Sequence, residues 1–258
     1  MNYMNKALAL ARRSLGSVSP NPTVGAVIVR EGMIVGEGYT QPPGQQHAEI
    51  VALEQAGSLA MGATMYTTLE PCNHQGRTGP CTQAILEYGI AELHSAVLDP
   101  NPKVIGNGVD MLRDAGVRIF VGEGEEKSRR LMEAYLKFVT KGIPFVTAKF
   151  AMSLDGKIAT SNGDSKWISG DKARWKAHEL RSVNDAIMVG INTVIKDDPR
   201  LTARDGKGKP LSRQPLRVIV DSNGRMPRDA RLISEPGETL AVVASTAAFS
   251  DLDPSDSS

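Results

Sequence analysis

The chain has 258 residues, enough for two modest domains, and its 41% hydrophobic and 23% charged residues match an ordinary globular protein. A net charge of +1 leaves no broad basic footprint for nucleic acid, and no apolar run approaches the roughly 18 residues that span a bilayer. The first acidic residue is Glu31, and Arg12-Arg13 come early, as in an organelle transit peptide. Met4, Leu8, Ala11 and Leu15 nevertheless share one helical face that leads straight into a turn and strand. A helix integral to the fold and a cytoplasmic location are therefore expected.

Residues 2–16 read as that helix, ended by Gly16 and the Pro20-Asn21-Pro22 turn. Val24–Arg30 and Met33–Tyr39 read as a hairpin around Glu31-Gly32. A helix over His47–Ala60 follows the Pro42-Pro43-Gly44 loop and puts His47 and Glu49 in its first turn. Thr64–Leu69 reads as a strand ending at Glu70-Pro71, and Cys81–Tyr88 as a helix with Cys81 near its N-terminus. Strand 92–98, helix 105–115, strand 117–121 and helix 124–139 complete a mixed α/β layer sandwich. Lys141-Gly142-Ile143-Pro144 reads as a boundary, dividing the chain into residues 1–143 and 144–258. Beyond it, Phe145–Met152, Ala186–Val189, Leu216–Val220 and Thr239–Val243 read as strands, and Asp171–Val183 as a helix carrying Trp175. Arg204–Pro215 reads as a loop, and the Ser- and Asp-rich residues 245–258 are not expected to pack.

The chemistry concentrates in His47-Ala48-Glu49, Pro71-Cys72 and Cys81. Imidazole and thiolate suit zinc, which at a catalytic site takes three protein ligands and a water. His47, Cys72 and Cys81 would supply three such ligands, with Glu49 near enough to reach the water. A closed structural site would instead recruit His74 as a fourth ligand, and would leave Glu49 without a role. A disulfide needs an oxidising compartment, for which no export signal is evident. Both cysteines sit in one segment bounded by proline and glycine, an unusual place for inert core thiols.

This constellation resembles that of the zinc nucleobase deaminases, whose signature is H-x-E followed by P-C-x-x-C. Here eight residues, not two, separate the cysteines. Asn21-Pro22-Thr23-Val24-Gly25, His47-Ala48-Glu49, the segment from Thr68 to Cys81 and Asp99-Pro100-Asn101-Pro102 are similar to the deaminase domain of the bifunctional riboflavin-biosynthesis deaminase-reductases. The resemblance implies a cytidine-deaminase-like α/β/α sandwich that binds Zn2+ through His47, Cys72 and Cys81, with Glu49 as the catalytic acid and base. It implies hydrolytic deamination of 2,5-diamino-6-ribosylamino-4(3H)-pyrimidinone 5′-phosphate, a pyrimidine ribotide bound by Asn21, His74, Arg77, Asp99 and Asn101. Read without it, Asp99 and Asn101 make a plain Asx/Pro turn and Arg77 a solvated loop charge.

The second half carries Ser153-Leu154-Asp155-Gly156-Lys157, Ser165-Lys166-Trp167 and the run from Val189 to Thr202. These, with Arg217-Val218-Ile219-Val220-Asp221-Ser222, resemble the reductase half of the same family, which is similar to dihydrofolate reductase and uses NADPH. The likeness implies NADPH contacts from Met152, Trp167, Thr193, Asp197 and Ser222, and sugar-phosphate contacts from Ser165, Arg181, Leu201 and Arg204. In the family a Glu-Gly-Gly segment follows; here the sequence reaches Ser258 without one. An incomplete dihydrofolate-reductase-like α/β domain, silent as a reductase, is therefore expected. Uncovered sheet edges lead us to expect a homo-oligomer. The rival readings are a zinc deaminase for cytidine, guanine or tRNA adenosine, and a non-catalytic zinc scaffold. The spacer with His74 and Arg77 argues against the former, and Glu49 against the latter.

Overall fold

Asn2 caps the first helix: its side-chain oxygen accepts from the Asn5 N–H at 2.7 Å, and α1 runs over Tyr3–Ala11 before one 3-10 turn at Arg12–Ser14. In this computed structural model, which describes residues 2–74, 79–102, 104 and 106–244, the chain forms two units, Met1–Thr147 and Ala148–Ser258. Met4, Leu8 and Ala11 are buried as the periodicity requires, whereas Leu15 lies past the helix and is exposed.

In the first unit β1 (Gly25–Arg30) and β2 (Met33–Tyr39) form the expected hairpin, followed by α2 (Ala48–Ala56) and β3 (Thr64–Thr67). Then come α3 (Cys81–Glu87), β4 (Glu92–Ser95), α4 (Asn107–Asp114), β5 (Arg118–Val121), α5 (Glu125–Leu131) and α6 (Glu133–Lys141). The strands order as β2-β1-β3-β4-β5, with β1 antiparallel to both neighbours and β3, β4 and β5 mutually parallel. Val27, Ile28, Leu53, Met65, Ile85, Leu93 and Leu112 fill the core, and each such burial contributes roughly 1.5–3 kcal/mol.

Glycines let two helices lie directly on strand backbone. A Cβ on Gly25 would stand 2.0 Å from the Ala7 carbonyl oxygen of α1, and one on Gly38 would stand 2.0 Å from that of Ala48 in α2. The first turn of α2, where the chemistry sits, therefore rests on the backbone of β2. Two expectations need correction here. His47 precedes α2 as its N-cap and is not in its first turn. The helix expected over 124–139 is two helices, because the chain leaves helical geometry at Met132 (φ −109, ψ 17) to bury that side chain.

The second unit contains α7 (Asp171–Val183), β6 (Ala186–Gly190), α8 (Ile191–Asp197), β7 (Leu216–Val220), α9 (Arg231–Ser234) and β8 (Thr239–Val242). Its strands form a parallel sheet in the order β6-β7-β8. Ile191, Val194, Leu201, Ile219, Ala230 and Leu232 pack on one face, while Met188, Leu240 and Val242 stay exposed on strands of the same sheet. Arg217 is buried within it and donates to the Thr239 hydroxyl and to the carbonyls of Glu235, Pro236 and Gly237. The strand expected over Phe145–Met152 does not form: among the described residues it pairs with no ladder, and Val146, Phe150 and Met152 are exposed. β-rich composition alone makes no strand without a neighbour to share its hydrogen bonds.

Candidate zinc and substrate site

Three segments converge at one point of the first unit. His47 caps the N-terminus of α2, Cys72 follows the end of β3 and Cys81 begins α3. The His47 Nδ1 lies 3.3 Å from the Cys81 Sγ and 3.5 Å from the Cys72 Sγ, and the three donor atoms all fall within 4.8 Å of one another. The Thr82 N–H donates to the Cys72 carbonyl at 3.2 Å, and the Cys81 N–H to the Cys72 Sγ at 3.5 Å, so α3 folds back onto its own ligand segment.

The protonation pattern is that of a site built for a cation. The Cys72 thiol is lowered to about 4, chiefly by its hydrogen bond with Cys81, while burial opposes the shift and His47 assists it. His47 is raised to about 9, chiefly by its bond to Cys72, and the Cys81 thiol is pushed up by Cys72 and by burial. A soft cation would replace the protons these groups share, and one imidazole with two thiolates is a zinc donor set. Glu49 lies in the first turn of α2, is buried, and is raised to about 7, chiefly because burial disfavours its charge.

The other expected residues fall into two groups. His74 is exposed just beyond Cys72, close enough for its charge to lower the pKa of Asp99, and Asn21 is half-buried just before β1. Arg77 lies outside the described residues. Asp99 is buried and fully engaged: its carboxylate accepts from the Tyr135 hydroxyl at 2.9 and 3.1 Å and from the Asn101 N–H at 2.9 Å. Burial raises its pKa. Tyr135, on α6, was not anticipated; its only sequence signal is an aromatic residue on a helix face.

In the second unit Thr193 lies in the first turn of α8 directly after β6 and Ser222 follows β7, both at carboxyl ends of parallel strands where α/β sheets bind ligands, whereas Asp197 ends α8 at its far end. Trp167 lies beneath the Arg174 guanidinium at 4.4 Å and Met152 is exposed; among the described contacts neither is tied to that strand end. Arg181 and Arg204 both reach Thr202, through its carbonyl at 3.5 Å and its hydroxyl at 2.8 Å. Burial and the Arg204 charge lower the Arg181 pKa, and Arg204 also faces the Glu235 carboxylate at 3.8 Å. Leu201 is buried beside them with a left-handed backbone (φ 53), and Ser165 is half-buried.

The fold and site of the first unit define a zinc-dependent deaminase domain, and comparison with known proteins agrees. Residues 1–97 match the cytidine and deoxycytidylate deaminase zinc-binding region, and residues 144–252 match the RibD C-terminal domain. The riboflavin biosynthesis protein RibD of Aquifex aeolicus is 49% identical over 242 residues, covering 93% of this chain and 67% of its own length. That of Bacillus amyloliquefaciens is 44% identical, covering 97% and 66%. A Thermotoga maritima diaminohydroxyphosphoribosylaminopyrimidine deaminase/5-amino-6-(5-phosphoribosylamino)uracil reductase superposes with a TM-score of 0.88 at 44% identity, covering 95% of this chain and 69% of that one. The chain belongs to the RibD family of riboflavin biosynthesis proteins and spans about two thirds of the length of these relatives. His47, Cys72 and Cys81 are its zinc site, and the second unit is the domain that in this family uses NADPH.

Proposed function

We propose that the first unit deaminates 2,5-diamino-6-ribosylamino-4(3H)-pyrimidinone 5′-phosphate. The observation that carries this reading is the buried Glu49 in the first turn of α2, two residues from His47 of the His47–Cys72–Cys81 zinc site. His47, Cys72 and Cys81 would hold a zinc ion that, when bound, would lower the pKa of a water to about 7 and so make hydroxide available at neutral pH. Glu49, buried beside the metal site, is the carboxylate placed to take a proton from the attacking water and to give it up. The carboxylate moves both water protons, one to the ring nitrogen and the other to the exocyclic nitrogen; the exocyclic C–N bond breaks, the C–O bond becomes C=O and ammonia leaves. Burial of Glu49 keeps solvent from competing for that proton.

His74, Arg77, Asn21 and Asn101 are assigned to the ribotide, with His74 and Arg77 assigned to its phosphate. Asp99 is assigned to the same surface through Asn101, whose N–H it holds. In the second unit Thr193, Asp197 and Ser222, with Met152 and Trp167, are assigned to NADPH, and Arg181, Arg204, Ser165 and Leu201 to a sugar phosphate. We further propose a cytoplasmic homo-oligomer. Among the described residues no helix is long and apolar enough to cross a membrane, and the exposed Met188, Leu240 and Val242 offer a surface for a second copy.

The test is to incubate the zinc-loaded protein with the ribotide, without and then with NADPH, and to follow ammonia and oxidised cofactor. Ammonia without cofactor establishes the deaminase. Cofactor oxidation in the second arm assigns the reduction to the same chain, and its absence leaves the deamination alone. A zinc-loaded protein that releases no ammonia refutes the reading.

A further inference from the structure

Glu70 commits its whole carboxylate to one loop. Its side chain is buried, and Oε2 accepts from the Asp99 and Gly106 N–H groups, both at 3.0 Å. Oε1 accepts from the Gly108 N–H at 3.0 Å and the Val109 N–H at 3.1 Å, the second of these pairs lying in the first turn of α4. Among the described residues no lysine, arginine or histidine forms an ion pair with it. A buried charge is stabilised by such amides only if all of them point at it, so the carboxylate and the loop hold each other in one geometry.

The same loop touches the next residue. Gly108 packs so closely that a Cβ would stand 2.0 Å from the Pro71 carbonyl oxygen, and Pro71 directly precedes Cys72. The amides of Asp99, Gly106, Gly108 and Val109 are thus referenced to the two residues ahead of a zinc ligand. Asp99 and Asn101 ride on that loop. The ligand segment itself is fixed by other bonds, Thr82 N–H to the Cys72 carbonyl and Thr82 hydroxyl to Asn73 Oδ1 at 2.9 Å.

We propose that Glu70 is a positioning residue that sets the offset between the substrate loop 99–109 and the zinc centre, an inference that rests on the deaminase reading above. Replacing one carboxylate oxygen with an amide, Glu70→Gln, turns an NH2 group toward two N–H donors while keeping the side chain's size. The loop should loosen and the metal should stay, because Cys72 and Cys81 keep their own backbone bonds.

The experiment compares wild type and Glu70→Gln for zinc content, amide hydrogen exchange over residues 99–109, and KM and kcat for ammonia release from the ribotide. The expected result is unchanged zinc, faster exchange across the loop, and a KM raised about tenfold, the loss of one or two charge-assisted hydrogen bonds, with kcat nearly kept. Unchanged KM, or zinc lost together with activity, overturns the proposal. Should the variant not fold, exchange in the wild type decides: Asp99, Gly106, Gly108 and Val109 must be protected as one group, and four freely exchanging amides sink the idea. If the wild type releases no ammonia, the deaminase reading fails by itself; equilibrium binding of the ribotide to the two proteins then replaces KM.

Discussion

Gly38→Ala should disable turnover without touching a reacting group. A Cβ at Gly38 would stand 2.0 Å from the Ala48 carbonyl oxygen and 2.8 Å from the Ala52 nitrogen. Non-bonded carbon and oxygen do not approach that closely, so β2 and the first turn of α2 must separate by about 1 Å, a displacement that can cost on the order of 100-fold in rate. Edge strand β2 and helix α2 would share the movement, but His47 and Glu49 both sit at that end of α2 and would shift together against Cys72 and Cys81. Overpacking of this kind also costs typically 1–3 kcal/mol, which a two-domain protein should survive. The assay is kcat for ammonia release on protein shown by metal analysis to be zinc-loaded, beside a urea melt of the first unit. A folded, zinc-loaded Gly38→Ala protein with wild-type kcat would refute the claim that backbone contact with β2 sets the position of the catalytic turn.

Other substitutions separate the roles of neighbouring groups. Cys72→Ser and Cys81→Ser should each lose zinc and activity together, and a variant with normal zinc and turnover would remove that ligand from the site. Glu49→Gln should keep its zinc and lose turnover by about 10²- to 10⁴-fold, the usual contribution of a positioned acid and base. Arg217→Leu strands the Thr239 hydroxyl and three carbonyls in the second unit and should destabilise it by about 2–4 kcal/mol, read by limited proteolysis, with ammonia release unaffected. Glu92 is held below its ordinary 4.5, first by His94 and then by Arg118. A lowered acid stabilises the fold above its unfolded pKa and ceases to do so as pH falls below it. Glu92→Gln should therefore cost under about 1 kcal/mol at pH 7, a cost that fades as pH falls through the lowered folded pKa, in paired urea melts.

How far the sequence could be read follows from the range of each signal. His47, Glu49, Cys72 and Cys81 were legible because a metal admits few residue types, and the alternation of strand and helix through residue 121 was legible from periodicity. Boundaries fared worse: the helix expected over 124–139 broke at Met132, since a core-facing side chain can outweigh helical propensity and no local pattern marks where. Phe145–Met152 failed as a strand because pairing is a property of two segments. α8 went unnoticed because its apolar residues, Ile191 and Val194, make too short a pattern to stand out from the strand before them.

Tyr135 and Glu70 could not have been read at all, and they show what holds the site. Tyr135 acts on Asp99 from 36 positions away, and Glu70 reaches amides 29 to 39 positions on. All four partners of Glu70 and the nearest neighbours of Gly38 and Gly108 are main-chain atoms, which every residue type supplies, so nothing in the side-chain pattern announces them. The catalytic turn of α2, the cysteine segment and the substrate loop are therefore set at the level of the backbone. Side chains such as His74, which we assign to the ligand, are not needed to hold the frame. A site built this way should tolerate exchange of its exposed ligand-facing residues with little loss of zinc, and should fail abruptly when a methyl group is added at Gly38 or Gly108.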